Sequence, residues 1–275
     1  MKKFFLLTLL SIGFLLVSVS SAIAENITIY DKNSSNSHNW YGEQEDDEVE
    51  PGMASNQNWD LEAFVINGTK LSLIGGYDFI NGYSNVLAGD IFLDFTDDAE
   101  YGDIHNSSTS GNKVVKETFG FDVVLDMTWD DRDTNGDPLY DFKAIELTGN
   151  SQTVTTYYTV NQGSNPWRYA GVEEQSASDK VLHTDSFSYL TGADTTYILD
   201  NFGVALSGDL HNVVTIDLSF LASDYDITKM LVKNTMECGN DSIVGQNHAP
   251  EPATMLLFGI GLIGLAGIGR RKVNK

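Results

Sequence analysis

The chain has 275 residues, with 16 Lys plus Arg against 39 Asp plus Glu and a formal net charge of −23 at pH 7. Such an acidic surface repels nucleic acid and anionic lipid, so nucleic acid is not an expected partner. Cys238 is the single cysteine, which excludes an internal disulfide. Stability must therefore come from an apolar core, from a bound metal, or from both.

The first 24 residues are typical of a secretory signal peptide. Lys2 and Lys3 form a basic start, and the apolar run that follows, roughly 16 residues, is short of the ~20 that a spanning helix needs. Ala22 and Ala24 supply the small residues that signal peptidase requires, so Glu25 is the predicted mature N-terminus. An N-terminal membrane anchor is the alternative.

Residues 25–58 are predicted to form an acidic, poorly packed lead-in. An Asn/Ser-rich stretch and an acidic run over residues 43–50 interrupt any regular pattern. Like charges at that density repel one another and favour an extended, solvated chain. Within this segment, residues 26–30 have the character of one edge strand.

From residue 59 to residue 245, short segments alternate apolar and polar side chains, which is the period of a β-strand. Asn67-Gly68 separates two of these segments and is the typical sequence of a tight hairpin turn. No helical period is sustained, and we predict a mainly β fold, an antiparallel β-sandwich of about ten to twelve strands. The clearest predicted strands lie within residues 59–66, 71–74, 91–95, 121–129, 140–147, 153–160, 197–206, 213–220 and 228–236.

The best candidate for a metal site is the loop that runs from Asp131 to Asp137. Asp131, Asp133 and Asn135 place oxygen atoms at alternate positions, a glycine then permits a sharp turn, and Asp137 adds a further ligand. These are the ligands of Ca²⁺, which is the predicted cofactor. The twelfth position is Phe142 where a full EF-hand has Glu. The alternative is a solvated hairpin loop, because Asp, Asn and Gly also favour turns.

We predict no enzymatic activity, since the sequence has no recognisable nucleophile–base motif and no short histidine spacing for a metal. Asp90 and Asp94 share one strand face, and a carboxylate pair of this kind would suit a glycoside hydrolase, the least favoured alternative. Asp97 and Asp98 extend the cluster, which equally fits a polar outer face or a second calcium site. Four Trp and twelve Tyr also allow a sugar-stacking surface, although such rings are mostly core.

A second apolar segment, residues 253–269, lies near the end of the chain. At ~1.5 Å per residue it covers roughly 26 Å, just enough to cross a thin hydrocarbon core as a single transmembrane helix. Arg270, Arg271 and Lys272 follow directly, and basic residues stay in the cytoplasm, so the β domain is predicted to lie outside the inner membrane. The flanking segments are a linker, residues 246–252, and a basic cytoplasmic tail, residues 270–275.

Pro250, Glu251 and Pro252 stand immediately before the apolar segment. This order of Pro-Glu-Pro, apolar helix and basic cluster resembles the PEP-CTERM sorting signal of bacterial surface proteins. The resemblance implies processing by an exosortase in Gram-negative bacteria that make exopolysaccharide. Residues 59–63 and 235–241 also resemble segments that recur in such proteins, which implies a β-rich surface domain and no particular activity.

The sequence therefore predicts a non-enzymatic surface or extracellular-matrix protein, cut by signal peptidase, processed by exosortase and stabilised by calcium. It would cross the inner membrane in type I orientation before processing and end at the cell surface or outside the cell. Without the signal peptide and the C-terminal segment the net charge is more negative, because residues 25–251 keep 10 basic and 39 acidic residues, a net charge of −29. The alternative function is a carbohydrate-binding module that engages exopolysaccharide.

Overall fold

A computed structural model describes residues 24–29, 57–99, 109–173, 179–192, 206 and 208–247. Over these ranges the chain is mainly β, as predicted, and forms three antiparallel sheets. The helical elements of the same ranges are 3-10 turns, at Gln57–Trp59, Thr159–Ser164, Ser219–Leu221 and Ile227–Lys229. None of the described helices has the length and apolar character to cross a membrane. The predicted apolar segment 253–269 and signal residues 1–23 lie outside the described residues.

Sheet A consists of β1 (Glu25–Asn26), β3 (Leu61–Asn67), β4 (Lys70–Gly75), β12 (Ser188–Thr191) and β13 (Asn212–Asp217). Its strand order is β1-β3-β4-β13-β12. The predicted Asn67-Gly68 turn joins β3 to β4, and Gly68 has a φ of 63°. A register shift between Leu61 and Ala63 turns Leu61 and Phe64 towards the same core. Strict alternation would place these two side chains on opposite faces, and the bulge is the reason for the difference.

Sheet B consists of β2 (Thr28–Ile29), β5 (Ile91–Asp94), β7 (Val123–Met127), β8 (Asp141–Glu146), β11 (Lys180–Ser186), β14 (Leu231–Thr235) and β15 (Ser242–Gln246). Its strand order is β11-β8-β7-β5-β14-β15-β2. Sheet C is smaller and consists of β6 (Val114–Val115), β9 (Ser151–Val154) and β10 (Arg168–Val172). Its order is β10-β9-β6.

The sheets are held together by two apolar layers. The main core joins sheets A and B in a sandwich-like arrangement, with both sheets contributing buried side chains such as Phe64, Leu73, Val214, Leu93, Leu125 and Val232. A second cluster covers the other face of sheet B, where Phe92, Val124 and Ile145 are buried beneath Val115 and Tyr169 of sheet C. Burial of this kind stabilises by about 25 cal/mol per Å² of apolar surface, so both layers contribute to the fold.

The start of the predicted lead-in is packed against both larger sheets. β1 pairs with β3 in sheet A, and β2 pairs with β15 in sheet B. Ile27 lies between them and is buried; its N–H donates to the carbonyl of Phe64, and its carbonyl accepts from the N–H of Gln246. The predicted single edge strand is thus two short strands that bridge the sheets. Residues 30–56 lie outside the described residues.

The two ends of the strands define two ends of the molecule. At the tail end, β15 finishes at Gln246, which pairs with Leu231, and Leu231 in turn pairs with Asp94. The opposite end, where β14 ends at Thr235 and β15 begins at Ser242, is called the far end. Three connections lie there, residues 76–90 between β4 and β5, residues 128–140 between β7 and β8, and residues 236–241 between β14 and β15.

Candidate functional site

The predicted calcium loop is a hydrogen-bonded turn organised by one carboxylate at the far end. Asp133 Oδ1 accepts from the N–H groups of Asn135 and Asp137, at 2.8 and 2.9 Å, and Asp133 Oδ2 accepts from the Asn135 amide. These N–H groups, that of Asp137 first, hold the pKa of Asp133 below its ordinary value. Asp131, Asn135 and Asp137 are exposed. The loop brings its polar groups into one turn without gathering its three carboxylates at a common point.

A different carboxylate group at the tail end does meet at a common point. Oxygen atoms of Asp94, Asp98 and Asp122 lie within 4.8 Å of one another. Asp94 is buried, and its oxygens accept from the N–H groups of Thr96, Asp97 and Ala99. Burial, with the nearby Asp94 adding to it, raises the pKa of Asp122. The bonds to Asp94 cap the turn that follows β5.

Asp90 attaches sheet C to sheet B. Its Oδ1 accepts from the N–H of Met127 and its Oδ2 from the N–H of Tyr169, at 3.0 and 2.8 Å. Burial raises the pKa of Asp90 to about 7, and the charge of Asp126 on the neighbouring strand adds to the rise. Asp90 directly precedes β5 and Asp94 ends it, and both side chains are buried. Each is bonded to backbone N–H groups at its own end of the strand.

A buried polar network that sequence reasoning missed links β3 to β13. Nδ1 of His211 lies 2.8 Å from Oε2 of Glu62, and both side chains are buried. The amide oxygen of Gln57 accepts from the N–H groups of Asp209 and Leu210 and so ties the 3-10 turn to the segment before β13. Burial raises the pKa of Glu62 to about 8, and the hydrogen bond from Gln57 partly offsets this.

A buried lysine on β14 was also missed. Lys233 is fully buried, and its Nζ donates to the carbonyls of Ser164 and Pro166, at 2.6 and 3.0 Å. A lysine is rarely buried unless its charge is paired or hydrogen-bonded, and here the backbone oxygens serve that purpose. The contact ties the 3-10 turn before β10 to sheet B. Its signal in the sequence was a single cation between the apolar pair Leu231-Val232 and the polar pair Asn234-Thr235.

Exposed aromatic side chains collect at the far end. Tyr83, Tyr140, Tyr157 and Tyr158 are between 39% and 47% exposed. The first two lie in the connections of residues 76–90 and 128–140, and the N–H of Tyr157 donates to the carbonyl of Glu237 in the connection of residues 236–241. The number of tyrosines is known from the sequence, but their position at one end of the fold is not predictable from it. They stand at the end opposite to Gln246. The tail end, which contains Gln246, is the one that approaches the sorting segment.

The root of the C-terminal segment is anchored by Asn247, the last described residue. Its N–H donates to the carbonyl of Met230, and its side-chain amide donates to the carbonyl of Ile227. The residues of the predicted sorting signal, namely Pro250, Glu251, Pro252, Arg270, Arg271 and Lys272, lie outside the described residues, as does Ala22. Ala24 and Glu25 are described; Ala24 is half-buried against the outer face of sheet A.

Over the described residues the protein is mainly β, and its last described strand, β15, ends at Gln246. Residues 248–272 match the family model of the PEP-CTERM protein-sorting motif. The chain is thus a protein with a PEP-CTERM sorting motif, and the motif implies export, with an exosortase as processing partner, towards the cell surface. Neither the curated proteins nor the solved structures give a match to the chain.

Proposed function

We propose that the chain is a non-enzymatic protein of the cell surface or extracellular matrix that exosortase releases from an inner-membrane intermediate. The observation that supports this most is the sorting motif, which begins one residue after Asn247. Residues 1–24 act as the signal peptide, and residues 253–269 hold the intermediate in the membrane in type I orientation. The β domain is then left outside the cell.

The basic cluster provides the test of this intermediate. Arg270, Arg271 and Lys272 set the orientation of the apolar segment, because cations resist transfer across the membrane. Replacing all three with Ser should reduce membrane retention and correct processing, as measured by cell fractionation and immunoblotting. A matched control replaces Lys180, Lys229 and Lys70, three exposed or partly exposed cations of the folded domain. Unchanged processing in the first variant would contradict the proposal.

Calcium is the proposed stabilising ion, at the loop of Asp131, Asp133, Asn135 and Asp137. The loop already turns around the Asp133 carboxylate, and its remaining oxygen atoms are exposed to solvent. Extracellular calcium modules bind at about 10⁻⁴ to 10⁻³ M, so calcium in the millimolar range would be needed. The net charge of −29 over residues 25–251 supplies the electrostatic reason, since each bound cation relieves self-repulsion.

Polysaccharide binding is the second proposed function. The observation that favours it is the collection of half-exposed tyrosines at the far end, remote from the sorting segment. Tyrosine combines a large apolar ring with a polar tip and is frequent where binding surfaces meet partly polar ligands. Retention of the mature protein on the exopolysaccharide of its own cells would support this function, and free migration would exclude it.

A further inference from the structure

One part of the far end combines aromatic rings with fixed polar groups. Tyr140 and Tyr189 lie with their ring centroids 6.2 Å apart and their planes inclined by 26°. The buried ring of Phe187 meets Tyr140 edge-on at 5.7 Å. The N–H of Phe187 also donates to the carbonyl of Tyr140 at 2.7 Å, which fixes the backbone beneath the ring. Phe187 therefore supports the pair from the protein interior, and Tyr140 is 41% exposed on the solvent side.

The second ring is held by a hydrogen bond rather than by packing alone. The hydroxyl of Tyr189 donates to Asp78 Oδ1 at 3.0 Å. The same carboxylate accepts from the N–H groups of Ile80 and Asn81 and from the side-chain amide of Asn81. Because these bonds fix the ring and the carboxylate before any ligand arrives, little side-chain entropy remains to be lost on binding.

Two more polar side chains complete the surface. The Arg132 guanidinium donates to the carbonyl of Ile80 at 3.0 Å and approaches the amide oxygen of Asn81 at 3.4 Å. Arg132 and Asn81 are both exposed. The described bonds of Arg132 use Nη1 and Nη2, so its Nε–H faces no described acceptor. Braced rings thus stand beside a carboxylate, an amide and a guanidinium, all fixed on two adjoining loops.

This combination matches the chemistry of a pyranose ring. One face of such a sugar carries C–H groups and packs against an aromatic ring, while its edge carries hydroxyl groups that need both donors and acceptors. Binding sites typically combine an apolar surface with a few fixed polar groups in this way. The charge of the domain favours a neutral polysaccharide over an acidic one, because a net charge of −29 over residues 25–251 repels a polyanion.

We propose that Tyr140 and Tyr189, together with Asp78, Asn81 and Arg132, form a binding site for a neutral polysaccharide. The inference rests on the second proposed function, because it assigns that function to particular residues. The site lies at the far end, so a chain held by its sorting segment would present it away from the membrane. A protein partner on the same surface is the competing outcome.

The test uses the mature protein and the polysaccharide purified from its own cells, separated by anion exchange into neutral and acidic fractions. Affinity electrophoresis in gels that contain each fraction measures binding. The wild type should be retarded by the neutral fraction, and Tyr140→Ala should bind at least tenfold more weakly, whereas Tyr140→Phe keeps the ring and should keep binding. Val181→Ala is the control, since Val181 is 48% exposed and lies on β11, outside the group of far-end tyrosines.

The outcomes separate the two levels of the proposal. If neither fraction retards the wild type, polysaccharide binding itself is wrong. If the wild type binds and Tyr140→Ala binds equally well, the function stands and the assignment to this site is overturned. Stronger binding to the acidic fraction would overturn the choice of a neutral ligand. Thermal melting confirms that Tyr140→Ala is folded, and weakening by Asn81→Ala as well would support the polar half of the site.

Discussion

At the residue scale, the most consequential group is a buried carboxylate. Glu62 is buried beside His211, and burial raises its pKa to about 8 from an ordinary value near 4.5. The folded state therefore holds a proton that the unfolded state releases at lower pH. The contribution to stability is fully present below about pH 4.5 and is lost as the pH rises from there through about 8.

We predict that Glu62→Gln flattens part of this pH dependence. From pH 5 to pH 8 the wild type should lose free energy of unfolding relative to the variant, by at most about 1.4 kcal/mol per pH unit. Urea denaturation at each pH measures this difference. Glu173→Gln, at an exposed glutamate, is the control and should show no such drift. Parallel curves for wild type and Glu62→Gln would mean that Glu62 is ionised in the folded protein.

The calcium proposal is also decided at single residues. Calcium should raise the melting temperature of the mature protein beyond an ionic-strength-matched sodium control, because a site ion that binds only the folded state adds RT ln(1 + [L]/Kd). The gain should shrink in Asp131→Ala and Asp133→Ala. Asp98→Ala tests the other carboxylate group. Equal shifts in sodium and calcium would exclude a specific site, and loss of the shift in Asp98→Ala alone would move the site to the tail end.

Separation along the chain decides which of these residues could be identified from the sequence. The turn-forming residues of 131–137 lie together in the chain, so the loop was visible, although its bonding was not. Glu62 and His211 are 149 positions apart and meet only because β3 and β13 both pair with β4. The aromatic site has the same character, since Asp78 and Tyr189 are 111 positions apart. Contacts at such separations have no local signature.

At the scale of elements, the N-terminal segment is a bridge between the two larger sheets. Ile27 is 5% exposed and contributes to the core that the two sheets share. Ile27→Ala should lower the free energy of unfolding by about 2 to 5 kcal/mol, through lost burial and the cavity left behind. Glu25→Ala, in the same segment and exposed, should change it by no more than about 0.5 kcal/mol. A near-neutral Ile27→Ala, measured by urea denaturation, would show that the bridge is dispensable.

Strands with strong apolar alternation were predictable, and strands defined by their partners were not. The predicted segments 91–95 and 140–147 closely match β5 and β8. β11 has the sequence Lys-Val-Leu-His-Thr-Asp-Ser and is largely exposed, so its pattern is too polar to recognise without β8 beside it. β15 has the sequence Ser-Ile-Val-Gly-Gln, which does not alternate apolar and polar side chains. The predicted strand 197–206 lies almost entirely outside the described residues.

At the scale of the whole molecule, the two ends of the β domain leave from neighbouring strands. β2 pairs with β15, and the N–H of Gln246 donates to the carbonyl of Ile27. The predicted signal-peptidase site, at Ala24 and Glu25, therefore lies near the root of the sorting segment. A domain tethered by either end would have its tail end towards the membrane and the exposed tyrosines away from it.

The central claim is that the sorting motif is processed, and intact mass spectrometry of the mature protein tests it most directly. Protein from exosortase-containing cells should begin at Glu25 and end near residues 250–253. Protein from cells without exosortase should keep the segment through Lys275. A mature protein that ends at Lys275 in exosortase-containing cells would contradict the claim.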